Sequence, residues 1–438
     1  MSRSFEDWRS ADALVRAQGA ARASIASHGA YLSVVDEPEG AAAGGEFAGI
    51  PFAVKDNIDV AGLPTTAGSP LLAGDVAEAD ANVVSALRAA GAVVVGKTNM
   101  HELAFGVSGN NATHGPVHNP ADPARTAGGS SGGSALAVAL GTVPFSLGTD
   151  TGGSVTVPAS FCGVVGFRPT TGRYPGDGVV NLSSSRDTIG VHAARVGDVR
   201  AVDRVITGEV DASAPARLTL GVPRSRYQDL AREIEPVVRA ALDRLASAGV
   251  TLVDLDIPDD LEIGGGAGLE LVFYEAERLV TARAAAMAGR GPDFGFADMV
   301  ELIASPDVRA IAEFIAATPL PADAYERARR ARWALRRAYV EAFAATGVDA
   351  IIAPSCPVLP PMLGNDDTAE LNGVEVPLFA TVTRNAAPGT TAGVPMLSVP
   401  AGRTAAGLPV GLSLEGRFFD DVRLLAIGEI AEAILVNS

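Results

Sequence analysis

Residues 127–169 hold the densest run of groups able to do chemistry: AGGSSGGSALAVALGTVPFSLGTDTGGSVTVPASFCGVVGFRP. Two glycine–serine clusters stand in it, Gly128–Ser134 and Gly152–Ser154. Glycine lets a backbone N–H approach a ligand closely, and serine supplies a hydroxyl that can attack or relay a proton. The apolar run between them, Ala135–Leu147, has the size of a helix plus a strand. Packing of such a unit brings the two clusters face to face, and they read as two halves of one site. A serine is a poor nucleophile until a base takes its proton. Lys55 is the candidate base: it ends the β-rich run from Gly49 and is followed by Asp56 and Asn57. An amine serves as base only when burial or nearby positive potential holds it neutral. Alone Lys55 would read as a surface lysine; beside the serine clusters it gains weight.

Other motifs carry less. Gly91–Thr98 fits the phosphate-loop pattern, but its middle residues, Ala92-Val93-Val94-Val95, are strand formers and what precedes them is helical; a phosphate loop needs the reverse context. Gly128–Gly132 fits the nucleophile elbow, yet a strand must precede that turn and His118–Thr126, with two prolines, reads as loop. A Ser–His–Asp hydrolase using His192 is therefore the second reading. The histidines (His28, His101, His114, His118, His192) show no metal-ligand spacing, so no metal site is expected. Cys162 reads as a small buried residue, and Cys162 and Cys356, far apart in sequence, suggest no disulfide framework.

The elements that must position these groups follow from periodicity. Strands alternate with helices along the chain, which favours α/β. Strands are expected at Ala92–Val95, Gly163–Phe167, Leu218–Val222, Thr251–Asp254, Val348 onward, Met396–Val399 and Val410–Glu415. Helices are expected at Ala81–Ala90, Val199–Thr207, Glu233–Ala248, Ala322–Ala345 and Asp421–Val436. Residues 1–48 read as an N-terminal helical segment, and 210–345 as a peripheral helical layer over the site. The 438-residue chain carries a net charge of −17, which argues against nucleic acid or an anionic membrane as partner. The arginines of Tyr325–Tyr339 read as a solvated helix face. The charged N-terminus has no apolar signal core and no stretch suits a bilayer span, so a cytoplasmic location is expected.

Taken together, PFAVKDN (51–57), GKTNMHE (96–102), GGSSGGS (128–134), GTDTGGS (148–154), FCGVVGFRPT (161–170) and GVPMLSVP (393–400) resemble the amidase-signature family. The resemblance is dense over 48–208 and looser over 348–436. It implies an α/β fold with one large mixed central sheet covered by helices on both faces, formed by residues 49–438, and a Ser–cisSer–Lys triad without a cofactor. By motif position Ser154 would be the acyl-forming nucleophile, Ser130 the bridging serine after a cis Gly129–Ser130 peptide, and Lys55 the terminal base. The amides of Thr151, Gly152, Gly153 and Ser154 would form the oxyanion hole, with Ser131 and Asp150 in support. Gly129, Met100 and Phe273 would face substrate; Tyr274, Phe294 and Phe296 are further aromatic candidates in the helical layer. Many members carry arginine two residues after the nucleophile; here Thr156 stands there, which weakens the case for an anionic substrate.

Within the family, Thr170–Pro175, Arg186–Thr188 and Arg384–Gly389 resemble the aryl-acetamide branch, which includes indoleacetamide and mandelamide hydrolases; Asn181–Ser185 departs from it. The expected activity is hydrolysis of a small, uncharged, aryl-type carboxylic amide. The alternatives are a glutaminase-type component of a transamidation complex, a biuret or ureido hydrolase, and a binding protein with a dead site. A homodimer is the assembly considered.

Overall fold

β-Branched and apolar runs pair into one sheet whose middle strands end at the glycine–serine clusters. The computed structural model describes residues 5–36, 44–209, 212–287, 290 and 293–436. Its strands are β1 Tyr31–Val34, β2 Pro51–Lys55, β3 Val93–Thr98, β4 Phe145–Asp150, β5 Val165–Arg168, β6 Thr188–Ala193, β7 Thr219–Pro223, β8 Thr251–Leu255, β9 Ala350–Pro354, β10 Thr368–Leu371, β11 Val374–Pro377, β12 Met396–Arg403 and β13 Pro409–Glu415. Eleven of them form a mixed sheet in the order β1-β3-β2-β4-β6-β5-β12-β13-β9-β7-β8, while β10 and β11 pair as a separate hairpin. Helices flank this sheet; those that matter for the site are α1 Ala11–His28, α2 Gly132–Ala139, α3 Thr156–Cys162, α4 Asp260–Ala285, α5 Ala322–Thr346, α6 Ala387–Ala392 and α7 Asp421–Val436. The mixed α/β architecture agrees with the expectation.

Parallel pairing of β2 with both β3 and β4 fixes the register that matters: Lys55 lies opposite Thr98, and Val54 opposite Lys97 and Leu147. Fully buried strands of this kind read as continuous apolar runs, and every residue of β2, β3 and β4 is buried. Phe52 of β2 stacks on Phe145 of β4 with ring centroids 5.2 Å apart. Burying each such ring contributes about 1.5–3 kcal/mol, which anchors the strands whose ends carry the chemistry. Helix α2 presses against the chain before it. A methyl on Gly133 would sit 2.4 Å from the Ala30 and Asn99 carbonyl oxygens, so only glycine permits the approach.

Four expectations need correction. Residues 210–345 are not a helical layer alone: β7 and β8 lie in them and extend the central sheet, β7 pairing parallel with β9. The described part of 1–48 is not purely helical, because Tyr31–Val34 follows α1 and pairs antiparallel with β3. The strand expected to stop at Val95 runs on to Thr98, so Gly96, Lys97 and Thr98 are strand residues; a methyl on Gly96 would lie 2.1 Å from the Ser33 carbonyl oxygen, and no phosphate cradle exists there. Strand β6 lies just beyond the Gly- and Ser-rich loop of Gly172–Asp187, where periodicity announces no strand, although its six residues are all buried.

Candidate active site

Three segments meet at the ends of β2 and β4. Strand β2 delivers Lys55, the turn into α2 delivers Ser130 and Ser131, and β4 with its following turn delivers Thr149 to Ser154. Lys55 is fully buried. Its Nζ lies 2.7 Å from Ser130 Oγ and 2.7 Å from Thr149 Oγ1, with the Thr149 carbonyl oxygen at 3.4 Å. Burial pulls its pKa down to about 7, against the opposing pull of Asp150 and Asp187. A lysine held there is a competent base near neutral pH. The Gly129–Ser130 peptide bond is cis. Ser131 Oγ donates to the Thr149 carbonyl oxygen at 3.0 Å and accepts from the Thr149 N–H at 3.2 Å, fixing the residue that holds Lys55.

Ser154 sits at the mouth of this arrangement, 8% exposed, whereas Lys55 and Ser130 are 0% exposed. Its carbonyl oxygen accepts from the Ser131 N–H at 3.2 Å. Among the described residues no hydrogen bond joins the Ser130 and Ser154 hydroxyls, so the lysine–serine contact is closed and the serine–serine contact open. Catalytic hydrogen bonds commonly tighten only when substrate is bound.

The turn after β4 is braced from below. Asp150 Oδ1 accepts from the Gly153 N–H at 3.0 Å and Oδ2 from the Val155 N–H at 2.7 Å, so the Gly153 amide expected in the oxyanion hole is already engaged by this carboxylate. Fully buried Arg168 donates Nε to Asp150 Oδ1 at 3.0 Å and Nη2 to the Arg186 carbonyl oxygen at 2.7 Å. Thr151 Oγ1 donates to Asp187 at 2.6 Å. Gly153 has φ +117, a conformation that side chains rarely adopt, and a methyl there would meet Ala386 Cβ at 3.0 Å. A cavity of about 20 Å³ opens beside this turn, bordered by Asn57, Thr149, Thr151 and Asp187.

Of the substrate-facing candidates, Gly129 is packed against the backbone of Val107 and Gly109. Met100 is fully buried in the cluster that also holds Leu103, Val180, Leu182 and Val272. Phe273 is half-buried on the same cluster and edge-on to Phe314 at 6.0 Å. Phe294 and Phe296 also pack on this cluster, whereas Tyr274 stacks on Tyr325 at 4.0 Å, beneath Arg278. Thr156 Oγ1 donates to the Gly153 carbonyl oxygen at 3.4 Å. A cleft of about 800 Å³ lies elsewhere, against the β10–β11 hairpin, and includes none of these residues.

The Ser–His–Asp reading loses its base. His192 is buried on β6, donates Nε2 to the Val155 carbonyl oxygen at 3.1 Å, and burial pushes its pKa down to about 3. Its Nδ1 has no partner among the described residues, so no carboxylate orients the ring. Residues that sequence reasoning passes over are Thr149, Arg168 and Asp187. All three stand inside runs quoted above, Thr149 in 148–154, Arg168 in 161–170 and Asp187 in 186–188, but their roles become meaningful only through pairing across the fold.

Comparison with known proteins gives the family. The amidase family pattern, described as Amidase, matches residues 30–425, and the chain belongs to that family. It is an enzyme of the class that hydrolyses C–N amide bonds. It is 39% identical to an indoleacetamide hydrolase of Agrobacterium vitis, over 88% of this chain and 83% of the relative. It is 40% identical to a mandelamide hydrolase of Pseudomonas putida, over 88% and 78%. A glutamyl-tRNA(Gln) amidotransferase chain of Anaeromyxobacter sp. (strain K) is 41% identical, over 88% and 82%. A crystal structure of an amidase superposes with a TM-score of 0.87 at 33% identity, covering 98% of each chain. Among the described residues no helix is long and apolar enough to cross a membrane.

Proposed function

We propose that this chain hydrolyses a small, uncharged aryl-acetamide-type primary amide through an acyl-enzyme on Ser154, with Ser130 as bridge and Lys55 as terminal base. The observation that carries the reading is the 2.7 Å contact from Lys55 Nζ to Ser130 Oγ in a fully buried setting, with the lysine held at about 7. Neutral Lys55 takes the Ser130 proton as Ser130 takes that of Ser154. Ser154 Oγ bonds to the amide carbon, and the oxygen that gains charge is held by the amides of Thr151, Gly152 and Ser154, the Gly153 N–H being engaged by Asp150. Such donors are each worth a few kcal/mol in a transition state. Ser130 returns its proton to nitrogen, the C–N bond breaks and ammonia leaves. Water, activated by the same relay, then releases the acid. The aryl-acetamide assignment is supported by the two hydrolase relatives and by the absence of arginine at position 156.

The amidotransferase relative favours a second reading, a glutaminase working with a partner protein. Ammonia release tests both. The isolated chain is expected to release ammonia from indole-3-acetamide or phenylacetamide, and Ser154→Ala to abolish it. Turnover of glutamine alone, and only with a partner added, would select the second reading. Undiminished turnover in Ser154→Ala would remove the nucleophile assignment.

A further inference from the structure

The departure at Thr156 leaves the turn after β4 without the cation expected two residues past Ser154, yet a cation lies beside it. Arg186, 3% exposed, arrives from the loop before β6. A methyl placed on Gly152 would sit 3.8 Å from Arg186 Nη2, the one heavy atom within 4 Å of that position outside the neighbouring residues. The guanidinium is held on both flanks. Nη1 donates to the Gly268 carbonyl oxygen of α4 at 2.5 Å, and Nη2 to Thr390 Oγ1 of α6 at 3.1 Å. Gly268 has to be glycine for this, since a methyl there would lie 2.8 Å from Nη1.

Arg186 has no carboxylate within ion-pair distance among the described residues, and its Nε is buried without a partner. A buried charge is ordinarily neutralised by an adjacent counter-charge. The charged groups around it are Arg168, Arg332, Asp150 and Asp187. Of these, Asp150 is taken by Arg168, and Asp187 is occupied by Thr151 and the amides of Leu182 and Ser183. Burial lowers the Arg186 pKa only to about 10, so the guanidinium stays charged at neutral pH. A guanidinium held rigid, desolvated and unmatched beside a Gly-Gly turn is preorganised for charge that arrives during reaction.

We infer that Arg186 is a positioning residue that presents a fixed positive charge behind the Thr151–Ser154 turn, replacing from the loop before β6 the cation missing at Thr156. This rests on the reading of Ser154 as nucleophile. The charge acts on the oxyanion through the turn, so it serves neutral amides and requires no acid group on the substrate.

The test uses the full chain with phenylacetamide as substrate and benzylboronic acid as probe, which forms an anionic tetrahedral adduct with a nucleophilic serine. Arg186→Met is expected to lower kcat by about ten- to a hundredfold while KM stays within about threefold. Boronate affinity should fall in parallel with kcat, and Arg186→Lys should recover about tenfold of the loss. A rise in KM with kcat intact overturns the inference, as does equal activity of the folded Met and Lys variants. If Arg186→Met fails to fold, Arg186→Gln carries the test, because it keeps donors but not charge; full kcat there overturns the proposal. Ser154→Ala separates the two claims: if it abolishes turnover while Arg186→Met does not lower kcat, only the Arg186 role falls.

Discussion

Two buried lysines stand on neighbouring parallel strands, Lys55 at the end of β2 and Lys97 on β3, and their surroundings differ in one respect. Lys97 Nζ lies 3.6 Å from Asp56 Oδ1 and donates to the Pro64 carbonyl oxygen and Thr65 Oγ1. Lys55 is met by the hydroxyls of Ser130 and Thr149, and among the described residues no carboxylate comes within ion-pair distance of it. Burial pulls both amines below the ordinary lysine range, and Asp56 pulls Lys97 back. A carboxylate opposes loss of the proton from the lysine it faces, as Asp56 does for Lys97. A lysine facing hydroxyls gives up its proton readily and has somewhere to send the next one. Burial makes a lysine unusual; the partner decides whether it becomes a base.

The comparison is broken most directly by removing each lysine. Lys55→Met is expected to cut kcat a hundred- to ten-thousandfold, on the order of a lost general base. The same change should raise Tm at neutral pH. The folded-state pKa of Lys55 lies below the unfolded one, so from about 7 up to the ordinary lysine range the unfolded chain binds more protons. Stability therefore rises with pH in that window, and removing the group lifts the penalty on the acid side. Lys97→Met should do the opposite: it leaves Asp56 buried without its cation, costing about 3–5 kcal/mol in urea unfolding. Equal loss of activity in the folded fraction of both variants would erase the distinction.

A second test converts one environment into the other. Thr149→Asp puts a carboxylate beside Lys55. In the parent chain kcat/KM is expected to climb with pH and level off above about 7, as Lys55 loses its proton. In the variant that limb should move up by about one to three pH units, with activity at neutral pH falling accordingly and returning in alkaline buffer. An unmoved limb would show that another group controls the profile. The smallest effect is expected from Ser131→Ala, which releases Thr149 rather than Lys55. Its cost in kcat is about two- to tenfold, the kinetic equivalent of one net hydrogen bond.

What is legible in the sequence is local chemistry. Lys55 and the two glycine–serine clusters stand out by residue type, the roles proposed for Ser130, Asp150 and the 151–154 turn come from the family resemblance, and the strands around them announce themselves as β-branched runs. What depends on pairing across the fold is not legible. Strand β6 escapes sequence reasoning because its six residues, Thr188–Ala193, include a glycine and a histidine and follow a loop, and only pairing with β4 and β5 makes them a strand. The peripheral reading of 210–345 fails for a related reason: two short strands among long helices join the sheet only through β9. Arg186 looks like a branch marker because its distance to Gly152 belongs to no sequence window. Phe273 and Tyr274 suggest pocket aromatics on type alone, and one meets Phe314, the other Tyr325.

The hold of α7 on the site has a consequence for biosynthesis. Asp421 accepts from the Thr170 N–H at 2.7 Å and from its hydroxyl at 2.6 Å. Thr170 follows β5, whose Arg168 steadies Asp150 and with it the turn that presents Ser154. β5 itself pairs on one side with β12, more than two hundred residues further along the chain. A nascent polypeptide that has left the ribosome only as far as β9 already carries every serine and lysine discussed here, yet lacks the strand and the carboxylate that set them. The hydrolase would stay silent through most of its own translation and switch on only once α7 emerges.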